Sequence, residues 1–184
     1  MPRYEIRIAG FGGQGIVRAG VILGIAACLY SDMNGTQTES YGPEARGGAC
    51  RSEVVLSDEE IDYPNVETPD VLIVMSQLAY KMYSSDIKEN GTIILDPDMI
   101  PYRTALKKVK IYEIPATRIA EKAGSRVVAN SVMLGAFTAI SNIIKKTAME
   151  KAIVASFPSE TRKMNLRAFR EGYNFAKKLL MRRA

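Results

Sequence analysis

Apolar and polar positions follow two different periods along the first third of the chain. Residues 4–9 alternate and lead into a cluster of glycines, which predicts a strand that ends in a tight turn. Residues 16–30 are almost wholly apolar and are long enough for a helix of about four turns. Residues 31–51 show no clear period, so we expect a long irregular loop there, followed by a short strand at 52–56.

The rest of the chain is more regular. Residues 70–75 form a continuous apolar run after a proline, which is typical of a buried parallel strand. Two further strands are predicted, at 92–95 and 110–114. Helices are predicted at 76–87, 116–122, 130–144, 148–156 and 160–182. Because strands alternate with helices, we predict an α/β fold. We expect a single domain over residues 1–184, with three layers, a mostly parallel sheet and a Rossmann-like first βα unit.

The residue types that are missing from the sequence exclude several kinds of catalytic and metal-binding site. The chain has no histidine, which removes imidazole as a general base or a metal ligand. Cys28 and Cys50 lie outside any C-x-x-C motif, so we assign this chain no metal site and no catalytic residue of its own. A reducing cytoplasm suits two such cysteines. No apolar run reaches membrane-spanning length, and the strand pattern begins too early for a signal peptide, so we expect no membrane association.

The net charge of +5 is concentrated at one end of the chain. Residues 160–184 contain eight Lys and Arg residues against two Glu, which leaves a net charge of −1 on residues 1–159. This distribution argues against a nucleic-acid partner. The basic residues belong to one predicted helix, and a solvated helix face is the favoured interpretation. A docking surface for an acidic partner is the alternative.

A glycine loop follows the first predicted strand and satisfies the pattern G-x-G-x-x-G. Such a turn can bring an anion close to the amides of a helix N-terminus. A dinucleotide site also requires an acidic residue about 20 positions later, at the end of a strand. Asp32 has that spacing, but no strand precedes it, so independent NAD or FAD binding is disfavoured. Two interpretations of the glycine loop are left. It is either a structural turn or a loop that faces a partner subunit or an anion. The loop residues of interest are Gly10, Gly12, Gly13, Gln14 and Gly15.

A second loop, at residues 36–48, is polar and rich in glycine, and a long loop in a compact domain is usually functional or disordered. Its Tyr, Pro and glycines argue against disorder, and its charged residues suit charge-assisted contacts. It is either an internally salt-bridged loop or, as we favour, a surface that helps to form a site with another chain. Its candidate contact residues are Glu39, Ser40, Tyr41, Gly42, Pro43, Glu44, Arg46, Gly47 and Gly48.

These two loops together resemble the gamma domain of the 2-oxoacid:ferredoxin oxidoreductases. The resemblance rests on GFGGQGIV at 10–17 followed by YGPEARGG at 41–48. Further matching stretches are PDVLI at 69–73, NSVMLGA at 130–136 and NLRAFREGY at 165–173, so the resemblance covers nearly the whole chain. Enzymes of this family oxidatively decarboxylate a 2-oxoacid, join the acyl group to coenzyme A and pass electrons to ferredoxin.

The resemblance implies an accessory gamma subunit that is inactive alone. Its partners would be alpha, beta and ferredoxin-like delta subunits together with ferredoxin, and the isolated chain could form a homodimer. Thiamine diphosphate, Mg and iron–sulfur clusters would be bound by the partner subunits, with coenzyme A as co-substrate. This chain would support assembly and shape the substrate or coenzyme A region. There, Arg46 and the amides of Gly47 and Gly48 are suited to a carboxylate or phosphate.

The second loop is most similar to that of the 2-oxoglutarate branch of the family, and this resemblance implies 2-oxoglutarate as the substrate. Branched 2-oxoacids of the 2-oxoisovalerate type come next, then pyruvate. The alternative to an accessory gamma subunit is a stand-alone nucleotide-binding oxidoreductase that uses the loop from Gly10 to Gly15.

Three minor features complete the sequence-based predictions. Asp96 and Asp98 flank Pro97 at a strand end and are predicted to form a turn rather than an acid–base pair or a metal site. Asn130 is predicted to cap a helix. The apolar face of the last helix is predicted to be core or subunit interface, through Leu166, Phe169, Tyr173 and Ala176.

Overall fold

The computed structural model describes residues 3–41 and 49–182 of the chain. The strands in this part are β1 (Tyr4–Phe11), β2 (Asn34–Tyr41), β3 (Ala49–Ser57), β4 (Val71–Val74), β5 (Thr92–Leu95) and β6 (Lys110–Glu113). The helices are α1 (Ile16–Tyr30), α2 (Gln77–Tyr83), α3 (Ala116–Ala123), α4 (Ala129–Ser141), α5 (Lys146–Ser156) and α6 (Ser159–Met181). One 3-10 turn, Ser84–Asp86, follows α2, and another, Arg126–Val128, precedes α4.

All six strands form one sheet with the order β2-β3-β1-β4-β5-β6. The pairs β1–β4, β4–β5 and β5–β6 are parallel, whereas β1–β3 and β2–β3 are antiparallel. The predicted α/β fold with a mostly parallel sheet is therefore confirmed. The antiparallel β2–β3 pair at one edge was not predicted.

The prediction of a long irregular loop at 31–51 is wrong for most of its length, because residues 34–41 and 49–51 lie in β2 and β3. Within the described part of the chain, β2 is an edge strand that pairs only with β3. Its side chains are polar on both faces, so it lacks the alternation that reveals a half-buried strand. One face lies close to α1, since a Cβ on Gly35 would be 2.9 Å from Cys28 Sγ.

Helices cover both faces of the sheet, which confirms the predicted three layers. One face packs against α1 and α3–α6, through residues such as Ile6, Ile8 and Ile73. The opposite face packs against α2, through Leu72, Val74 and Tyr80. Buried apolar area on both faces is the main stabilising contribution to such a fold.

α4 is the central helix of the thicker layer and is buried along most of its length. It lies against α6 at very short range. A Cβ on Gly135 would be 2.0 Å from the Phe169 carbonyl oxygen, and one on Gly172 would be 2.1 Å from the Val132 carbonyl oxygen. Two glycines therefore allow the helix backbones to touch. The predicted burial of the last helix is confirmed, since Phe169 and Ala176 are fully buried and Leu166 and Tyr173 pack against the core.

The predicted capping role of Asn130 is wrong. The 3-10 turn Arg126–Val128 runs directly into α4, and the residue before the helix, Val128, makes no side-chain cap. Asn130 lies inside the first turn instead, where it is buried and contacts the glycine loop. None of the helices formed by the described residues combines the length and the hydropathy that a membrane-spanning helix requires.

Candidate functional site

The glycine loop forms the tight turn between β1 and α1 that the sequence predicts. Gly13 and Gly15 have φ values of +94° and +72°, a backbone region that favours glycine. Gly15 is the residue before the first turn of α1, and no side chain in the described part of the chain caps that helix end. A Cβ on Gly15 would lie 2.4 Å from Asn130 Nδ2, the atom that donates a hydrogen bond to the Gly15 carbonyl oxygen at 3.2 Å. Asn130 thus holds the glycine turn against α4.

Gln14 fills the inside of the same turn. Its Oε1 accepts a hydrogen bond from the Phe11 main-chain N–H at 2.7 Å, and its Nε2 donates to the Met75 main-chain oxygen at 2.9 Å. Gly10 leaves room for this amide, because a Cβ there would be 2.4 Å from Gln14 Oε1. By contrast, no atom of the described residues lies within 4 Å of a Cβ built on Gly12 or Gly13. The turn therefore has an inner side closed by Gln14 and an outer side that is exposed.

The turn lies at a topological switch point of the sheet. β1 and β4 are adjacent and parallel, and the helices that follow them, α1 and α2, pack on opposite faces. In open α/β sheets such a switch opens a crevice at the carboxyl ends of the strands, and ligands bind there. Here the hydrogen bond from Gln14 to Met75 spans the crevice.

Two cavities flank the exposed side of the turn. One, of about 210 Å³, is lined by Gln14, Met75, Thr117 and Arg126, and the other, of about 310 Å³, by Arg18 and Asn130 among others; Gly13 lines both. Among the described residues, each cavity has one guanidinium group on its wall. The Arg126 guanidinium pairs with Glu121 at 3.3 Å, and the Arg18 guanidinium lies 5.3 Å from the centre of the Phe157 ring. The arrangement can accommodate an anionic group beside the glycine turn.

The strand register brings the two residues that flank positions 42–48 to this same edge of the sheet. Tyr41, the last residue of β2, pairs with Cys50, and Ala49, the first residue of β3, pairs with Phe11 beside the glycine turn. Glu39 and Ser40 lie in β2 rather than in a loop. The other candidate residues of that loop, Gly42, Pro43, Glu44, Arg46, Gly47 and Gly48, lie outside the described residues.

A buried charge cluster that the sequence did not reveal lies on the α2 face of β1 and β3. Arg7 is only 4% exposed, and its Nε donates to Glu53 Oε1 at 2.6 Å while its Nη1 donates to Asp86 Oδ2 at 3.2 Å. The guanidinium carbon atoms of Arg7 and Arg51 lie 5.4 and 5.6 Å from the centre of the Tyr83 ring. Two guanidinium groups and two carboxylates thus stabilise each other around one aromatic ring.

Arg51 is the member of this cluster nearest the second loop, two positions into β3. Its Nε lies 3.8 Å from Glu53 Oε1, which makes an ion pair but not a hydrogen bond. That buried Nε has no hydrogen-bond partner among the described residues, although the side chain as a whole is 35% exposed. The sequence signal for this cluster is the alternation of Glu5 and Arg7 with apolar residues in β1, which by itself indicates a solvent-facing side.

The Cys50 thiol, next to the end of the second loop, is 5% exposed. Burial, assisted by the nearby Glu39 carboxylate, raises the pKa of Cys50 above its usual range. The thiol therefore stays protonated at neutral pH, and a protonated thiol is a poor nucleophile and metal ligand. Among the described residues, no group of three or more Cys, Asp or Glu side chains is arranged to hold a metal ion.

Asp32 does not supply the acidic residue of a dinucleotide site. It lies in the turn between α1 and β2, with φ of +53°, so β2 follows it instead of preceding it. β2 runs in the same direction as β1, because both are antiparallel to β3. Asp32 is therefore at the opposite edge of the sheet from the glycine turn, roughly 25 Å away at the usual rise per strand residue.

The prediction that Asp96 and Asp98 belong to a turn is confirmed. The Asp96 carboxylate is fully buried and accepts hydrogen bonds from the Asp98 N–H at 3.0 Å, the Thr117 N–H at 2.7 Å and the Thr117 hydroxyl at 2.6 Å. Asp98 pairs with Arg118 at 2.7 Å. These carboxylates connect the end of β5 to the start of α3. Because both are engaged in these contacts, they are not arranged as an acid–base pair.

Comparison with known proteins identifies the family. A family model described as pyruvate ferredoxin/flavodoxin oxidoreductase matches residues 5–175. The chain belongs to this family. It is 54% identical over 179 residues to the 2-oxoglutarate synthase subunit KorC of Methanocaldococcus jannaschii, with 96% of each chain covered. The resemblance inferred from the two loops is therefore confirmed.

Solved structures of the family have the same fold. The gamma subunit of a keto/oxoacid ferredoxin oxidoreductase from Geobacter sulfurreducens matches with a TM-score of 0.84 and 37% identity, over 94% of this chain and 98% of that one. A 2-oxoglutarate:ferredoxin oxidoreductase from Magnetococcus marinus, solved with 2-oxoglutarate, coenzyme A and succinyl-CoA bound, matches with a TM-score of 0.86 and 26% identity. That match covers 97% of this chain and 32% of the longer one.

Proposed function

We propose that this chain is the accessory gamma subunit of a cytoplasmic 2-oxoglutarate:ferredoxin oxidoreductase. The complex would convert 2-oxoglutarate and coenzyme A to an acyl-CoA and carbon dioxide, with two electrons passed to ferredoxin. The observation that carries the proposal is the 54% identity to a 2-oxoglutarate synthase subunit across 96% of both chains. Branched 2-oxoacids and pyruvate are the other substrates that the family resemblance leaves open.

The chemistry of the described residues supports an accessory role. The chain contains no histidine, and the buried thiol of Cys50 is held in its protonated form. Decarboxylation and electron transfer would then depend on thiamine diphosphate, Mg and iron–sulfur clusters bound by the alpha, beta and ferredoxin-like delta subunits. The contribution of this chain would be to shape the surface on which 2-oxoglutarate or coenzyme A lies.

That surface would be the carboxyl edge of the sheet, where the glycine turn meets the residues that flank positions 42–48. Phe11, Ala49 and Cys50 bring them together through the pairing of β1 and β3. Arg46, with the amides of Gly47 and Gly48, would supply positive charge for a carboxylate or phosphate. The exposed side of Gly12 and Gly13 would supply close approach to the main chain of the turn.

A stand-alone nucleotide-binding oxidoreductase is the competing function. Two observations weigh against it. Gln14 occupies the inner side of the glycine turn, and Asp32 lies at the far edge of the sheet, away from any ribose bound at the turn. A dinucleotide site needs its acidic residue at the end of a strand beside the glycine turn, and Asp32 does not lie there.

Two measurements on the intact chain test the proposal. Titration with NAD(H), NADP(H) and FAD should give no saturable binding, whereas stoichiometric binding with turnover would favour the competing function. Affinity purification of the tagged chain from its native source should recover subunits with thiamine diphosphate and iron–sulfur clusters. Recovery of the chain alone under gentle, low-salt conditions would contradict an accessory role.

A further inference from the structure

A groove of about 430 Å³ runs between α3 and α6, far along the chain from the two loops. Its floor is apolar and includes Ile119, Ala123 and Phe175. Phe175 is 37% exposed, whereas Phe169 on the same helix is fully buried. An exposed aromatic side chain in a groove is a common anchor point for a partner.

Cations surround this floor. Lys122 comes from α3, and Arg167 and Lys178 come from α6; all three are exposed and none is ion-paired within the described residues. Glu171 is the single carboxylate among the described residues that line the groove. A neighbouring cavity of about 440 Å³ shares Arg167 and Glu171 and adds Lys163. Part of the positive charge of the last helix, from Arg167 and Lys178, therefore lies beside apolar side chains in one groove, which a merely solvated helix face does not require.

We propose that the α3–α6 groove binds an acidic segment of another subunit of the same complex. The segment seats an apolar side chain on Phe175 and Ile119 and places its carboxylates against Lys122, Arg167 and Lys178. We choose an acidic segment because of charge complementarity. Unpaired cations beside apolar side chains match a segment in which acidic residues flank an apolar residue. This proposal rests on the proposed function, because it takes the partner from the same oxidoreductase complex.

A second copy of this chain fits the groove less well. A twofold contact would place the cations of one groove against those of the other. A head-to-tail contact could use the acidic surface around Glu59, Glu60 and Asp62, which lies at a separate cavity, but heterologous contacts of this kind form open chains unless the rotation closes. An acidic segment on a different subunit has neither problem.

The first test is association of the chain with the remaining subunits of its complex, measured by isothermal titration with wild-type chain and with K122E/K178E. The matched control is K107E/K145E, which reverses two exposed lysines that are also without ion pairs in the described part of the chain. We expect the groove variant to bind at least about tenfold more weakly, with the control unchanged. The salt dependence of binding should also be shallower for the groove variant than for wild type. Equal urea midpoints for all three proteins exclude misfolding as the cause.

The second test locates the occupant by carbodiimide coupling of lysine amines to carboxylates in the assembled complex. Coupling of Lys122 or Lys178 to an Asp or Glu of another subunit supports the proposal. Coupling of these lysines to a second copy of this chain overturns it. Unchanged affinity of K122E/K178E in a complex that does assemble overturns this surface alone. Failure of the wild-type chain to join the other subunits overturns both this surface and the proposed function.

Discussion

Gln14 and Met75 join the two strands on either side of the switch point, through a hydrogen bond of 2.9 Å from the Gln14 side-chain Nε2 to the Met75 main-chain oxygen. The same side chain accepts the Phe11 N–H, so one amide satisfies a donor of β1 and an acceptor at the end of β4. The glycine turn is thereby fixed relative to the crevice.

Replacement of this glutamine should destabilise the fold. Gln14→Ala leaves the Phe11 N–H and the Met75 oxygen without these partners, which we expect to cost about 1–3 kcal/mol in the free energy of unfolding. Urea denaturation measures the change. The matched control is Gln77→Ala, because Gln77 makes a similar pair of hydrogen bonds to the main chain of Tyr102 at an exposed position. A loss at Gln14 no larger than at Gln77 would show that the bridge is not structural.

The buried cluster around Arg7 gives a second prediction. Arg7→Ala leaves the buried Glu53 carboxylate with only its longer ion pair, 3.8 Å from Arg51 Nε. Breaking a buried ion pair costs about 3–5 kcal/mol in unfolding free energy, and because Arg51 remains we expect a cost at the lower end of that range. Arg103→Ala removes an exposed ion pair with Glu113 and should cost less than about 1 kcal/mol. Similar costs for the two variants, measured by urea denaturation, would contradict the importance assigned to the cluster.

A third prediction concerns alkaline pH. Burial, with a contribution from the Asp70 carboxylate, raises the pKa of Tyr4 to about 12. The unfolded chain loses this proton first, near pH 10, so the stability that the neutral phenol contributes is complete below pH 10 and is lost as the pH rises towards 12. Urea midpoints of wild type should therefore fall more steeply above pH 10 than those of Tyr4→Phe. Parallel curves for the two proteins would mean that Tyr4 titrates normally.

The second loop gives a prediction about activity. Arg46→Ala should leave the urea midpoint unchanged but lower the activity of the reconstituted complex, with a higher KM for coenzyme A or for 2-oxoglutarate, because a cation for carboxylate or phosphate is lost. Arg46→Lys keeps the charge but not the bidentate geometry and should retain part of the activity. Unchanged rates and unchanged coenzyme A affinity in the alanine variant would remove Arg46 from the site.

The regular elements could be predicted from the sequence because their patterns are local. α1 and β5 have the predicted bounds, since a long apolar run starts after glycines in one case and a short apolar run ends at Asp96-Pro97 in the other. The glycine turn was also predictable from its position between a strand and a helix. These features depend on neighbouring residues, which the sequence shows directly.

The edge strand β2 and the Arg7 cluster depend on contacts distant in sequence. β2 is a strand because β3 pairs with it, and its polar side chains give no sign of that partner. Arg7 has the alternation of a solvent-facing residue, yet α2 and the turn at Ser84–Asp86 cover it. The dual contact of Asn130 with Gly15 likewise joins residues that are 115 positions apart. Such relationships become visible only when the chain is folded.

The central claim is that this chain is a required subunit of a 2-oxoglutarate:ferredoxin oxidoreductase. Its most direct test is ferredoxin reduction by the complex reconstituted from separately purified subunits, with this chain omitted and then added back. We predict that reduction requires 2-oxoglutarate and coenzyme A, is lost when the chain is omitted and returns in proportion to the chain added. Full activity without the chain, or faster reduction with pyruvate than with 2-oxoglutarate, would contradict this account.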